Sequence, residues 1–219
     1  MEDLTIIYYT SNREKRGFEK RIRETIIKNS GNLPIISVSQ KPIDFGHNIC
    51  VGDVGVSGFN MFRQVQIACK EAKTKFVISA EADCVYPPDY FKWIPEDKNV
   101  CYRNTNLYVM GDHRSYWYYK KEGATHSQVI GREFYLKVLD KLFKDAPKWN
   151  PKEKNFPKER HKRSDVFWPH QIKYYRTKNP VFQIKTHRGM RYYTNSERIP
   201  IAELPYWGKG EEVRKHYVG

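Results

Sequence analysis

The chain has 219 residues, with 39 Lys plus Arg against 25 Asp plus Glu, for a formal net charge of +14. That length fits one domain, and 5 Trp, 16 Tyr and 11 Phe supply enough ring area for a core, which excludes a globally disordered chain. No run of about 18 uncharged apolar residues occurs, which excludes a spanning helix.

Met1-Glu2-Asp3 leads straight into an apolar strand, unlike a secretory leader. Cysteines 50, 69, 84 and 101 have neither zinc-knuckle nor C-x-x-C spacing. A cytoplasmic protein with free thiols is the expectation.

Leu4 to Tyr9 is β-branched and aromatic, and reads as a buried strand that ends in the polar turn Thr10-Ser11-Asn12. Phe18, Ile22 and Ile26 recur every four residues among charges, the stripe of an amphipathic helix, which Asn29-Ser30-Gly31-Asn32 stops. Ile35 to Ser39 reads as a second strand. Lys41 to Gly58, with glycines at 46, 52, 55 and 58, reads as one long loop. Phe62, Val65, Cys69 and Ala72 mark a second helix, with Ser57 or Asn60 as its cap. Phe76 to Ala80 is a third buried strand.

Strand, helix, strand, helix, strand in the first 80 residues argues for a parallel sheet with crossover helices. Pro87-Pro88 then breaks the pattern. Val100 to Met110 and Tyr116 to Tyr119 read as strands separated by turns. Tyr135, Val138, Leu139 and Leu142 mark a third helix. Ser164-Asp165 reads as the cap of a short helix running to about Tyr175. Pro180 to Lys185 is the last strand before a polar, aromatic tail. The fold class expected is α/β, a mostly parallel central sheet flanked by helices, with a more mixed second half.

In an open α/β sheet, ligands bind beyond the carboxyl ends of the strands. Thr10-Ser11-Asn12, the loop Gly46 to Gly58 and Glu81-Ala82-Asp83 all fall there. In an extended segment the carboxylates of Glu81 and Asp83 point to one side. Such a pair is costly unless a cation sits beside it, and hard ions such as Mg²⁺ or Mn²⁺ take oxygen ligands and bridge to phosphates. Solvated loop carboxylates would give the same spacing.

Here the residues resemble a family. An acidic x-Asp closing the third strand of a strand-helix-strand-helix-strand unit, in the run AEADCVYPPDYF, is similar to the metal motif of GT-A glycosyltransferases, in E-x-D rather than D-x-D form. The helix before it, with Arg63-Gln64 and Ala68, is similar too. The resemblance covers residues 4 to 91 well and the rest loosely. It implies one GT-A-like domain, with residues 1–91 as the nucleotide-sugar-binding half and 92–219 as the acceptor half.

It also implies a nucleotide-sugar donor, a UDP-sugar first, with Mn²⁺ or Mg²⁺. On that reading Thr10, Ser11 and Asn12 meet the nucleoside, and Asp53 contacts base or ribose. Arg63 faces the diphosphate, Glu81 and Asp83 form the acidic motif, and Asp83 holds the ion. His187, after the last strand, matches the late histidine that serves as a further metal ligand. Lys185 or Arg63 would steady the leaving diphosphate. An inverting enzyme needs a carboxylate base, for which Asp165 is the first choice and Asp112 the rival; a retaining one needs neither.

Much of the excess positive charge is grouped. Arg13 to Lys28 and Lys148 to Arg163 each carry seven basic residues, against three and two acidic ones. The second segment and its surroundings interleave Trp149, Phe156 and Trp168 with the charges, as a nucleic-acid groove would. A modified DNA base as acceptor leads; a solvated loop or a surface resting on anionic lipid remain open. Tyr116 to Tyr119 could stack on a sugar or base, but such a run more often serves sheet packing. Two other functions fit the residues: a metal-dependent nuclease or phosphotransferase using Glu81, Asp83 and His187, and a non-catalytic basic nucleic-acid-binding module.

Overall fold

Seven consecutive buried residues make β1 (Leu4–Thr10) an interior strand. The computed structural model describes residues 3–120, 123–151, 166–167, 169–189, 196–197 and 199–219. Along β1, Ile6 and Tyr8 pack into one buried cluster and Ile7 and Tyr9 into another. This is the two-residue alternation of a strand covered on both faces. α1 (Arg16–Ser30) covers the first face with Phe18, Ile22 and Ile26. It stops at Gly31, whose φ of +64° a side chain would strain.

β2 (Ile35–Ser39) and β3 (His47–Cys50) follow, each parallel to its neighbour. β3 lies inside the segment expected as one loop. It is a short, polar, half-exposed edge strand, so it has no apolar run to betray it. α2 (Gly58–Glu71) begins at Ser57, whose Oγ accepts the Asn60 N–H at 3.0 Å. Its Phe62, Val65 and Cys69 pack with Tyr135 and Leu139 on the second face. β4 (Phe76–Glu81) pairs parallel with β1, Tyr9 opposite Glu81.

Beyond residue 83 the order changes. β5 (Cys84–Val85), β6 (Cys101–Asn104), β7 (Leu107–Gly111), β8 (Tyr118–Tyr119) and β9 (Gln128–Gly131) precede α3 (Arg132–Leu142). A single 3-10 turn (Pro169–Gln171), β10 (Ile172–Tyr175), β11 (Val181–Lys185), β12 (Glu203–Leu204), β13 (Gly208–Lys209) and α4 (Gly210–Tyr217) complete the described elements. The large sheet runs β10-β6-β9-β4-β1-β2-β3, parallel except for β9, and a smaller sheet runs β5-β11-β7-β8. The expected α/β class is therefore present, a mostly parallel sheet with helices on both faces.

The helix expected to end near Tyr175 is not found there. Ile172–Tyr175 is a strand beside β6, where Tyr175 stacks on Trp93 at 3.9 Å, and Ser164 and Asp165 lie outside the described residues. Ile-Lys-Tyr-Tyr suits a pleated surface, and pairing with β6 decides between the two. Trp117 is wholly buried, edge-on to Phe182 at 4.7 Å and bridged to Ile201, so that part of the aromatic run is packing.

Candidate functional site

β1, β2 and β4 are parallel neighbours, so their carboxyl ends open on one side of the sheet. An open cleft lies there. Thr10 and Ser11 come to it from β1, Gln40 from β2, and Glu81, Ala82 and Asp83 from β4; Gly55, Ser57, Asn60 and Gln64 form the facing wall. The walls are tied together. Gln64 Nε2 donates to the carbonyls of Thr10 and Val38 at 3.0 and 3.1 Å, and Gln40 Nε2 donates to Gly55 O at 2.8 Å.

Three carboxylates share this cleft, Glu14, Glu81 and Asp83. Glu81 Oε1 accepts the Tyr9 hydroxyl at 2.7 Å. Burial, and then the charge of Asp83, push its carboxyl up to about 7, against the opposing charges of Lys185 and Lys120. Glu14 is raised to about 7 mainly by burial, although it accepts the Thr186 hydroxyl at 2.7 Å. Asp83 is held by Gln183 Nε2 at 2.9 Å and by the Cys84 thiol at 3.3 Å. Lys120 is lowered to about 8 by burial and by Lys185 beside it.

The donor chemistry, carboxylate oxygens partly withdrawn from water, suits a hard divalent ion, which would relieve their mutual repulsion; among the described residues Glu14, Glu81 and Asp83 do not form a three-ligand group. Arg13, Arg188 and the start of α2 share the cleft with them. Cationic side chains and free N–H groups at a helix start favour an anionic ligand.

The expected site residues separate into groups. Thr10, Ser11, Glu81 and Asp83 line the cleft. Asn12, at φ 53°, accepts the N–H groups of Gln40 and Lys41 at its Oδ1, at 2.9 and 2.8 Å, bracing two strand ends. Asp53 caps its own loop through Gly55 N–H at 3.3 Å. Arg63 points away from the cleft, with its guanidinium 3.7 Å from the Phe143 ring centre and donating to the carbonyls of Pro147 and Lys148.

Lys185 ends β11, where its charge acts on Glu81. Asp112 and His187 meet at the ends of β7 and β11 together with His113. Among the described residues, no set of three ligands joins Glu81 and Asp83 to His187. Asp165 lies outside the described residues.

Sequence reasoning passed over Glu14, Arg13 and Arg188. The first two looked like part of a charged helix face, and Arg188 like part of a polar tail. Their signal was position: like Ser11, each lies just past the carboxyl end of a strand.

The entry to the basic segment rests on the cleft wall. The Ser57 hydroxyl donates to Asn150 O at 2.6 Å, and Asn150 N–H donates to Asn60 Oδ1 at 2.7 Å. A side chain at Gly55 would meet Pro151 at 2.5 Å. Arg63 anchors this same segment. The residues from Lys152 to Asp165 lie outside the described part. All four cysteines are free thiols, and among the described residues no helix is long and apolar enough to cross a membrane.

Sequence comparison matches no protein-family model and no curated protein. Among solved structures, the chain is similar to a glycosyltransferase involved in glycosylation of the major capsid of PBCV-1, with 11% identity, 85% of this chain and 96% of that one covered, and a TM-score of 0.49. It is similar to residues 1–349 of S. aureus TarS in complex with UDP-GlcNAc, at 12% identity, 84% and 59% coverage and a TM-score of 0.47. It is also similar to the bifunctional IspDF from Campylobacter jejuni, at 12% identity, 81% and 50% coverage and a TM-score of 0.45. The chain thus spans half of IspDF and about three fifths of that TarS fragment. At such identities the likeness concerns the fold and not the reaction.

Proposed function

We propose that the chain is a metal-dependent glycosyltransferase, moving a sugar from a nucleotide-sugar donor, UDP-linked, to an acceptor hydroxyl. The observation that carries this reading is the cleft, where Glu81, Asp83 and Glu14 face Arg13, Arg188 and the start of α2. Carboxylates and cations arranged together suit a ligand that is itself an anion bound with a cation, as a nucleoside diphosphate is.

Asp83 and Glu81 would hold Mn²⁺ or Mg²⁺. When bound, the ion supplies electrostatic stabilisation to the leaving diphosphate. The chain's own part is positioning. Arg13 and Arg188 draw in the diphosphate, while Thr10, Ser11 and Gln40 border the nucleoside.

In the transfer, the acceptor oxygen bonds to the anomeric carbon as the bond from that carbon to the diphosphate oxygen breaks. If configuration inverts, the acceptor proton passes to a carboxylate. Glu14, held near neutral pKa in the cleft, suits that role, and Asp165 remains the alternative. The acceptor proposed is a modified nucleic-acid base. Its support is that the basic segment departs from the cleft wall at Asn150 and Pro151, with charge suited to a phosphate backbone.

Thermal shift with a panel of nucleotide sugars, with and without Mn²⁺, tests the donor. A UDP-sugar should stabilise the wild type only with metal and leave Asp83→Ala unmoved. Equal shifts in the two proteins would sink the metal-bridged donor. Cleavage of a polynucleotide with metal and no nucleotide-sugar binding would instead establish the nuclease reading. Neutralising the basic residues from Lys152 to Arg163 should abolish product on modified DNA; unchanged activity removes that segment from the acceptor site.

A further inference from the structure

Beside the cleft, β7 and β11 end next to each other. They are parallel neighbours, with Gly111 opposite Lys185, and the Asp112 N–H donates to Lys185 O at 2.9 Å. Asp112 and His113 leave one strand and His187 the other from this shared edge. One ligand atom from each lies within 4.8 Å of the others. The Asp112 carboxylate meets His113 Nδ1 at 3.2 Å, and the two imidazole rings lie 6.1 Å apart and 17° from parallel.

We propose that Asp112, His113 and His187 bind one transition-metal cation of the zinc class, at a site separate from the oxygen ligands Glu81 and Asp83. Two imidazoles and a carboxylate suit Zn²⁺ or Fe²⁺, whereas Mg²⁺ takes oxygen alone. Tetrahedral bonds of about 2.0–2.1 Å set ligands roughly 3.3 Å apart. Both histidines are exposed, so small rotations of their side chains close the difference. The backbone bond at Asp112 fixes where the turns start.

One group competes. Arg114 Nε donates to His113 Nε2 at 3.2 Å, but its guanidinium also reaches the Tyr118 hydroxyl at 3.5 Å. It therefore has a second resting place when an ion takes His113. The turn after β11 also carries Arg188 and Gly189 to the cleft wall. An ion joining the two turns fixes the position of that wall. The site is independent of whether the cleft takes a nucleotide sugar.

The test titrates the full, chelator-stripped chain with Zn²⁺ by calorimetry and with Co²⁺ by visible absorption. With Mg²⁺ in excess to occupy the cleft carboxylates, the wild type should bind one equivalent. His113→Ala, His187→Ala and their Gln counterparts should each weaken binding on the order of 10- to 100-fold. Arg114→Ala should bind more tightly, and Asp83→Asn should bind as the wild type does. Three outcomes overturn the proposal: no stoichiometric binding, histidine variants that bind like the wild type, or a cobalt–thiolate band. The last would put the ion on the buried set Glu81, Cys84 and His126.

Discussion

Residues 4–91 and the residues beyond them carry different burdens. In the first region, each parallel strand after β1 is reached by a local crossover or loop, and the strand ends deliver Thr10, Gln40, Glu81 and Asp83 to one cleft. In the second, β9 inserts antiparallel between β4 and β6, and β11 pairs with strands from positions 84 and 107 onward. That region is held by aromatic packing around Phe182, which meets Trp117, Trp207 and Tyr217 at 4.7, 5.1 and 6.0 Å. Local crossovers place chemistry; long-range pairing supplies much of the support. Substitutions at the strand ends of the first region should therefore cost function, and those in the aromatic packing around Phe182, stability.

The largest effect belongs to Asp83→Asn. It keeps the shape of the side chain but not its charge, and transfer should fall about 10²–10³-fold with an unchanged melting curve. Radiolabelled sugar transfer measures the first and circular dichroism the second; a lost fold would break the division. Phe182→Ala should do the reverse. It removes a fully buried ring, for about 3–5 kcal/mol of stability in urea denaturation, and at temperatures where the variant stays folded it should still bind donor.

Gly131→Ala should cost about 3 kcal/mol, since a Cβ there would run into the Lys98 backbone carbonyl, which has no flexible end to yield. Little change in the urea midpoint would mean that the β9–α3 junction can yield.

The pH dependence tests the cleft itself. In the folded chain Glu14 and Glu81 keep their protons up to about 7, against 4.5 for the unfolded groups. The folded state thus binds more protons between those values, so stability without added cation falls as pH rises from about 4.5 to about 7. Glu81→Gln should flatten part of that slope, and Mn²⁺ should oppose it. Denaturation at pH 5, 6 and 7 reads both, and an identical slope in the variant would contradict the burial of Glu81.

The smallest effect is Arg63→Ala. It should leave donor affinity unchanged and cost about 1 kcal/mol through lost bonds to Pro147 and Lys148. A tenfold loss of donor affinity would return Arg63 to the diphosphate.

Most of the first region is legible in the chain alone. The apolar runs at Leu4, Ile35 and Phe76 and the stripes at Phe18 and Phe62 became β1, β2, β4, α1 and α2, because a strand or helix buried locally writes its period into neighbouring residues. The sequence also placed Thr10, Ser11, Glu81 and Asp83, since a strand's end is visible in the chain. Edge strand β3, the short β5 and the strand Ile172–Tyr175 left no such mark; their state depends on the partner they pair with. Only the tertiary structure decided that Arg63 turns to Phe143, that Glu14 and Arg188 join the cleft, and that His187 meets Asp112 and His113. The physical reason is the same in each case. Side-chain direction and long-range pairing are set by what packs against a residue, and a charge in a single sequence reads alike whether it faces water, a carbonyl or a ligand.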